Sequence, residues 1–191
     1  MKNVLFVDCC IRREASNTRK LAKAFLSALP SDCAVTRLDL MAEDLSYFKD
    51  SYFDQREALL EENRRDHPRF RYAHQFAQAD LIVIAAPFWD LSFPASLKIF
   101  IENVLVTGLV FAYGADSIPH TLCKMKRVVY LTTSGGYIGD MNTGEVYIRQ
   151  LCKNFLGDPQ VDVVSAEGLD IWGNDVEGIL ASAREKIDAL F

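Results

Sequence analysis

A three-layer α/β fold around one parallel sheet is what this sequence predicts, on three observations. Short apolar runs of strand length alternate with longer stretches of helical period along the chain. Most runs are continuously apolar, as strands covered on both faces are. Three of them end in loops carrying hydroxyls, paired aromatics or glycines, at the sheet edge where open α/β proteins bind ligands.

The elements follow in order. Asn3–Asp8 reads as the first strand, and Leu21, Ala24, Phe25, Ala28 and Leu29 mark a helix that ends at Pro30. Ala34–Leu40 reads as the second strand, and Asp80–Ala86 is the clearest strand of all. Pro94–Val106 follows as a helix with proline in its first turn, where a missing N–H costs nothing. Arg127–Thr133 is the fourth strand, and Gly144–Leu156 is helical and closed by Gly157 and Pro159. Val161–Ser165 is the fifth strand, and the stripe of Val176, Ile179, Leu180, Ala183, Ile187 and Leu190 marks the last helix. The segment Met41–Ala79 is longer than one loop and one helix require. Its aromatics Tyr47, Phe48, Tyr52 and Phe53 and the charge-rich helix pattern Asp54–Arg65 suit a lid, a binding loop, a core cap or a subunit contact.

Length and composition set limits. A chain of 191 residues without repeats or a linker predicts a single domain, 1–191. A net charge of −5 and the lack of a basic stripe exclude nucleic acid as a partner. No stretch approaches the ~20 apolar residues of a membrane span, and the N-terminal apolar run is too short for a signal peptide. Five cysteines without C-x-x-C spacing argue against a disulfide framework or zinc site. His67, His74 and His120 are not spaced as ligands. A reduced, cytoplasmic protein without metal is the expectation.

Three loops carry the chemistry. After the first strand, Ser16, Asn17 and Thr18 open a helix, where unpaired backbone N–H groups suit a phosphate. The same residues are also the preferred caps of any helix. Arg12, Arg13 and Arg19 add positive potential. Cys10 lies where a thiol can become reactive, but a bound phosphate opposes that shift and no histidine is an evident base. After the third strand, Phe88 and Trp89 can lie against a planar ring while their N–H groups reach its polar edge; Pro87 and Pro94 fix the path of this loop. After the fourth, Thr133-Ser134-Gly135-Gly136-Tyr137 lets backbone approach a ligand without Cβ interference. A phosphorylated, flat, polar-edged ligand fits all three, and flavin mononucleotide (FMN) is the candidate. There is no G-x-G-x-x-G and no P-loop, which argues against a dinucleotide Rossmann site and a P-loop NTPase.

Taken together, these residues resemble the flavodoxin-like family of FMN-dependent NAD(P)H oxidoreductases, the quinone reductases and azoreductases, over nearly the whole chain. Cys10, Ser16, Asn17 and Thr18 match the family's phosphate loop, and Pro87-Phe88-Trp89-Asp90-Leu91 looks like its Pro-Met-Tyr-Asn-Phe flavin segment. Pro94-Ala95-Ser96-Leu97-Lys98 is similar to its Pro-x-x-Leu-Lys helix start, and Thr133-Ser134-Gly135-Gly136 to its Ser-x-Gly-Gly turn. Gly108–Tyr113 is like the segment ahead of its fourth strand. Cys10 replaces a common serine, and Asp90 and Leu91 replace asparagine and phenylalanine, which alters the pocket beside the flavin. The resemblance implies a flavodoxin-like sheet of order 2-1-3-4-5, a homodimer, non-covalent FMN, and NADH or NADPH as co-substrate. It also implies a ping-pong, two-electron cycle to a quinone, azo or nitroaromatic acceptor. No side-chain acid or base is assigned, though Tyr137 lies nearest in sequence. The alternatives are a flavodoxin-type electron-transfer protein without NAD(P)H turnover, whose usual Thr/Ser-x-Thr-Gly-x-Thr loop is missing here, and a flavin-free regulatory protein.

Overall fold

The computed structural model describes residues 2–191; Met1, the first residue of the expected domain, lies outside them. Five strands form the central sheet: β1 (Lys2–Asp8), β2 (Cys33–Asp39), β3 (Leu81–Ala85), β6 (Arg127–Thr133) and β7 (Gln160–Ala166). All are parallel, in the order β2-β1-β3-β6-β7. Counted within this sheet, that is the predicted 2-1-3-4-5. Between β3 and β6 lies a two-stranded antiparallel ribbon, β4 (Phe111–Tyr113) with β5 (Pro119–Thr121), which the sequence reading did not separate from its flanks. Strands of three residues are too short to show a period.

Alternation along each strand feeds two apolar layers. Leu5, Val7, Ile82, Ile84, Val128 and Tyr130 face one side, under α3 (Arg71–Gln78), α4 (Ala95–Val104) and α5 (Thr143–Phe155). Val4, Phe6, Val83, Ala85, Val129 and Leu131 face the other, under α1 (Asn17–Ala28) and α6 (Val176–Asp188). Phe25 and Phe100 are buried one in each layer, and the sheet is covered on both faces, as its continuous apolar runs require.

The long excursion divides into two unlike parts. Within α2 (Asp50–Glu61) no residue is buried. The helix is held through polar contacts: Tyr52 donates to Asn103 at 2.9 Å, and Arg56 lies over Phe48 and donates to the Leu105 carbonyl. By contrast, α3 sinks Tyr72, Ala73, Phe76 and Ala77 into the core, and this unpredicted helix is the true crossover between β2 and β3. Among the described residues no helix is long and apolar enough to cross a membrane.

Candidate functional site

At the carboxyl ends of the strands the loops surround a cleft of about 260 Å³. Its walls come from Ile11, Arg12 and residues 15–18, from residues 87–89, from residues 133–135, and from Leu169 and Asp170 after β7. Ser16 is the N-cap of α1, its hydroxyl accepting from the Arg19 N–H at 3.3 Å. The N–H groups of Asn17 and Thr18 are the first of α1 and have no intrahelical partner. Thr18 is wholly buried, and its Oγ1 lies 2.6 Å from that of Thr133, tying the first loop to the third.

The second loop departs from expectation. Phe88 N–H donates to the Thr133 carbonyl at 3.0 Å and Trp89 N–H to that of Ser92 at 2.9 Å, so neither is free for a ligand edge. Trp89 and Ser92 pair across a two-residue turn with φ of 48° at Asp90 and 66° at Leu91. Positive φ at both positions is the geometry that Asn-Gly usually supplies. The turn is seated on α5, where Thr143 donates to the Leu91 carbonyl through its N–H at 3.0 Å and its hydroxyl at 2.6 Å. Phe88 is half-buried and Trp89 exposed, so the side chains, not these two amides, face the cleft.

Of the predicted site residues, Ser16, Asn17, Thr18, Pro87, Phe88, Trp89, Thr133, Ser134 and Gly135 line one cleft. Cys10, Asp90, Leu91, Gly136 and Tyr137 are not in its lining. Cys10 is buried under the first loop with Sγ 3.7 Å from the Ala85 carbonyl, and burial pushes its pKa up to about 12 despite a hydrogen bond with Ser16. A thiol so held is a packing group. Tyr137 borders a neighbouring groove with Glu167 and Asn174. The two glycines differ in their surroundings. Neither Gly135 nor Gly136 uses a positive φ; a Cβ at Gly135 would meet the exposed Asp170 carboxylate, which would have to move aside.

The three arginines of the first loop also separate. Arg12 lines the cleft. Arg13 pairs with Asp39. Arg19 is buried and reaches Asp8 at 2.9 Å, with Glu14 and Asp39 each at 3.4 Å. Burial works against the Arg19 charge, but Asp8 and Asp39 outweigh it and raise its pKa. Sequence reasoning missed Asp8, Leu169 and Asp170. Leu169 and Asp170 had a signal, since they follow the fifth strand at the same sheet edge as the other loops; Asp8, inside an apolar run, had none.

The described chain matches the model of the flavodoxin-like fold over residues 2–191, and it belongs to that family. Within it, the chain is 36% identical over 196 residues to an FMN-dependent NADH:quinone oxidoreductase of Clostridium acetobutylicum, covering 97% of this chain and 96% of the relative. Another relative of that name, from Coprothermobacter proteolyticus, is 32% identical and covers 100% of this chain and 98% of its own. Among solved structures, an azoreductase from Bacillus anthracis superposes with a TM-score of 0.82 at 26% identity, covering 100% of this chain and 98% of its own.

Proposed function

We propose that this protein is an FMN-dependent NADH oxidoreductase that passes two electrons to a quinone or azo acceptor. The observation that carries the reading is the meeting, in one cleft, of the α1 N-terminus, the Phe88–Trp89 pair and the Gly135 turn. The names of the relatives support NADH as donor and a quinone as acceptor, and that of the similar solved structure supports an azo acceptor. Nitroaromatic acceptors, NADPH as an alternative donor and a ping-pong order belong to the same proposal. The residues present fit FMN. The partnerless amides of Asn17 and Thr18 suit its phosphate. Gly135 lines the cleft without a β-carbon, so the turn leaves room there for a flat ligand.

When bound, FMN supplies the hydride and electron chemistry; placement and electrostatics are the protein's part. Ser16, Asn17 and Thr18 would hold the phosphate. The Thr18–Thr133 hydroxyl pair fixes the distance between the phosphate end and the glycine turn. Phe88 and Trp89 would lie against the flat ring, and the glycine turn would meet its polar edge. No side-chain acid or base is assigned: Cys10 is buried and Tyr137 borders another groove. Five free cysteines support a reducing compartment such as the cytoplasm.

We further propose that the active form is a homodimer, with Trp89, Leu91, Tyr137, Met141, Val146 and Trp172 exposed on the elements that border the cleft. The reading is tested by the visible spectrum of the FMN-loaded protein without oxygen. Full bleaching by NADH, and recovery on adding a quinone, is the expected result. A bound flavin that NADH leaves oxidised favours an electron carrier, and no uptake of FMN overturns the reading.

A further inference from the structure

Asp8, the last residue of β1, has no exposed surface, and one carboxylate holds both ends of the first loop. Its Oδ1 accepts from the Cys10 N–H at 3.0 Å, at the start of the loop. Its Oδ2 takes the Arg19 guanidinium at 2.9 Å, and the Arg19 side chain is only 5% exposed. The backbone N–H of Arg19 donates to Ser16 Oγ, the cap at the loop's far end. Ion pair and cap therefore close residues 8–19 into a ring, and that ring presents the Asn17 and Thr18 amides to the cleft. Arg37, at 2.7 Å from Asp8, braces the same carboxylate from β2.

A buried ion pair is a poor source of stability, because desolvation offsets much of its attraction and an apolar pair often serves folding as well. What this pair does is fix where the loop begins and ends. We propose that Asp8 and Arg19 are positioning residues for phosphate binding: they hold the α1 N-terminus in its anion-accepting place and so set the preference for a phosphorylated flavin over an unphosphorylated one. A loop fixed before the ligand arrives loses less freedom on binding. This inference rests on the FMN reading above. The pair itself is neutral, so removing both charges leaves the net charge beside the cleft unchanged and separates position from charge.

The test is the dissociation constants of FMN and riboflavin, followed by quenching of flavin fluorescence, for the full chain and for the Asp8→Asn/Arg19→Met double variant. FMN affinity is expected to fall about tenfold, the order of one net hydrogen bond, while riboflavin affinity stays the same. Unchanged affinities, or equal losses for both flavins, overturn the inference. Should the double variant fail to fold, Arg19→Lys decides. A severalfold loss confined to FMN supports the positioning role, and no loss, or one shared by riboflavin, overturns it. An unaltered protein that takes up neither flavin overturns the FMN reading itself, a result distinct from all of these.

Discussion

A Cβ added at Gly135 would run into the Asp170 carboxylate, whereas one added at Gly136 meets nothing of this chain within 4 Å. Neither glycine needs a left-handed backbone, so alanine is sterically admissible at 136. Gly136→Ala is expected to leave stability unchanged or raise it by about 0.4–1 kcal/mol through the unfolded chain, read from the urea midpoint. A fall in FMN affinity in that variant would place the ligand against this turn; no change would move it away. Gly135→Ala instead pushes the exposed Asp170 side chain aside and is expected to alter the cleft more than the fold. The buried thiols make a pH prediction. Burial raises the Cys10 pKa to about 12, and Cys9 and Cys152 are raised chiefly by burial as well. Between the unfolded and folded pKa values the native state binds more protons than the unfolded chain, so stability falls as pH rises. The loss is about 1.4 kcal/mol per pH unit for each such thiol above a pH of about 9, where the unfolded thiol ionises. Urea midpoints from pH 7.5 to 10.5 should show this slope, and Cys10→Ala should make it shallower. A slope untouched by Cys10→Ala would mean that this thiol is not the buried acid described here.

The two helices of the long excursion sit at opposite ends of the energetic scale. Phe76 on α3 is 4% exposed in the core, while Phe53 on α2 is 42% exposed and pairs with Phe48, ring centroids 5.7 Å apart. Phe76→Ala is expected to cost about 3–5 kcal/mol; Phe53→Ala should cost at most about 1.5 kcal/mol, the worth of one aromatic pair. Thermal or urea unfolding of the two variants checks the contrast, and equal losses would mean that α2 belongs to the core after all. The same contrast explains which elements could be read beforehand. The three central strands announce themselves because a strand buried on both faces must be apolar throughout, as Leu81–Ala85 is; the edge strand Cys33–Asp39, largely exposed, shows only partial alternation. Eight-residue α3 carries its apolar stripe on Tyr72, Ala73, Phe76 and Ala77 among arginine, histidine and glutamine, a stripe of little more than two turns, too short to stand out beside the longer charge-rich pattern before it. In the site, loops after strands were legible because sheet topology places them together. The fate of individual amides was not. The Phe88 and Trp89 N–H groups are taken by Thr133 and Ser92, and the partners that take them lie beyond any local pattern.

At the scale of the whole molecule, the question is why so much apolar surface surrounds a polar cleft. Trp172 is 98% exposed, on the segment that follows Leu169 and Asp170. Tyr137, next along from the glycine turn, is 67% exposed. Leu91, Met141 and Val146 are exposed as well, where the Trp89–Ser92 turn rests on the start of α5 and in the residues beside it. Scattered apolar side chains are ordinary on a protein surface, but clustering beside a binding cleft marks an interaction face. A second copy of the chain is the occupant proposed here, and in it Trp172 would act as an anchor, since a buried tryptophan removes about 150–250 Å² from water. Loss of such an anchor costs about 2 kcal/mol or more, about thirtyfold in a dissociation constant. Sedimentation velocity over a range of concentrations should therefore find a dimer for the unaltered chain and a shift toward monomer for Trp172→Asp. Far-ultraviolet circular dichroism should stay the same, because no buried contact of the fold involves a side chain so exposed. FMN affinity measured in parallel separates two kinds of dimer. If it falls as the dimer dissociates, the partner helps to close the cleft; if it holds, each copy binds flavin by itself. A monomer at all concentrations would overturn the dimer, and a dimer indifferent to Trp172→Asp would place its interface away from this tryptophan.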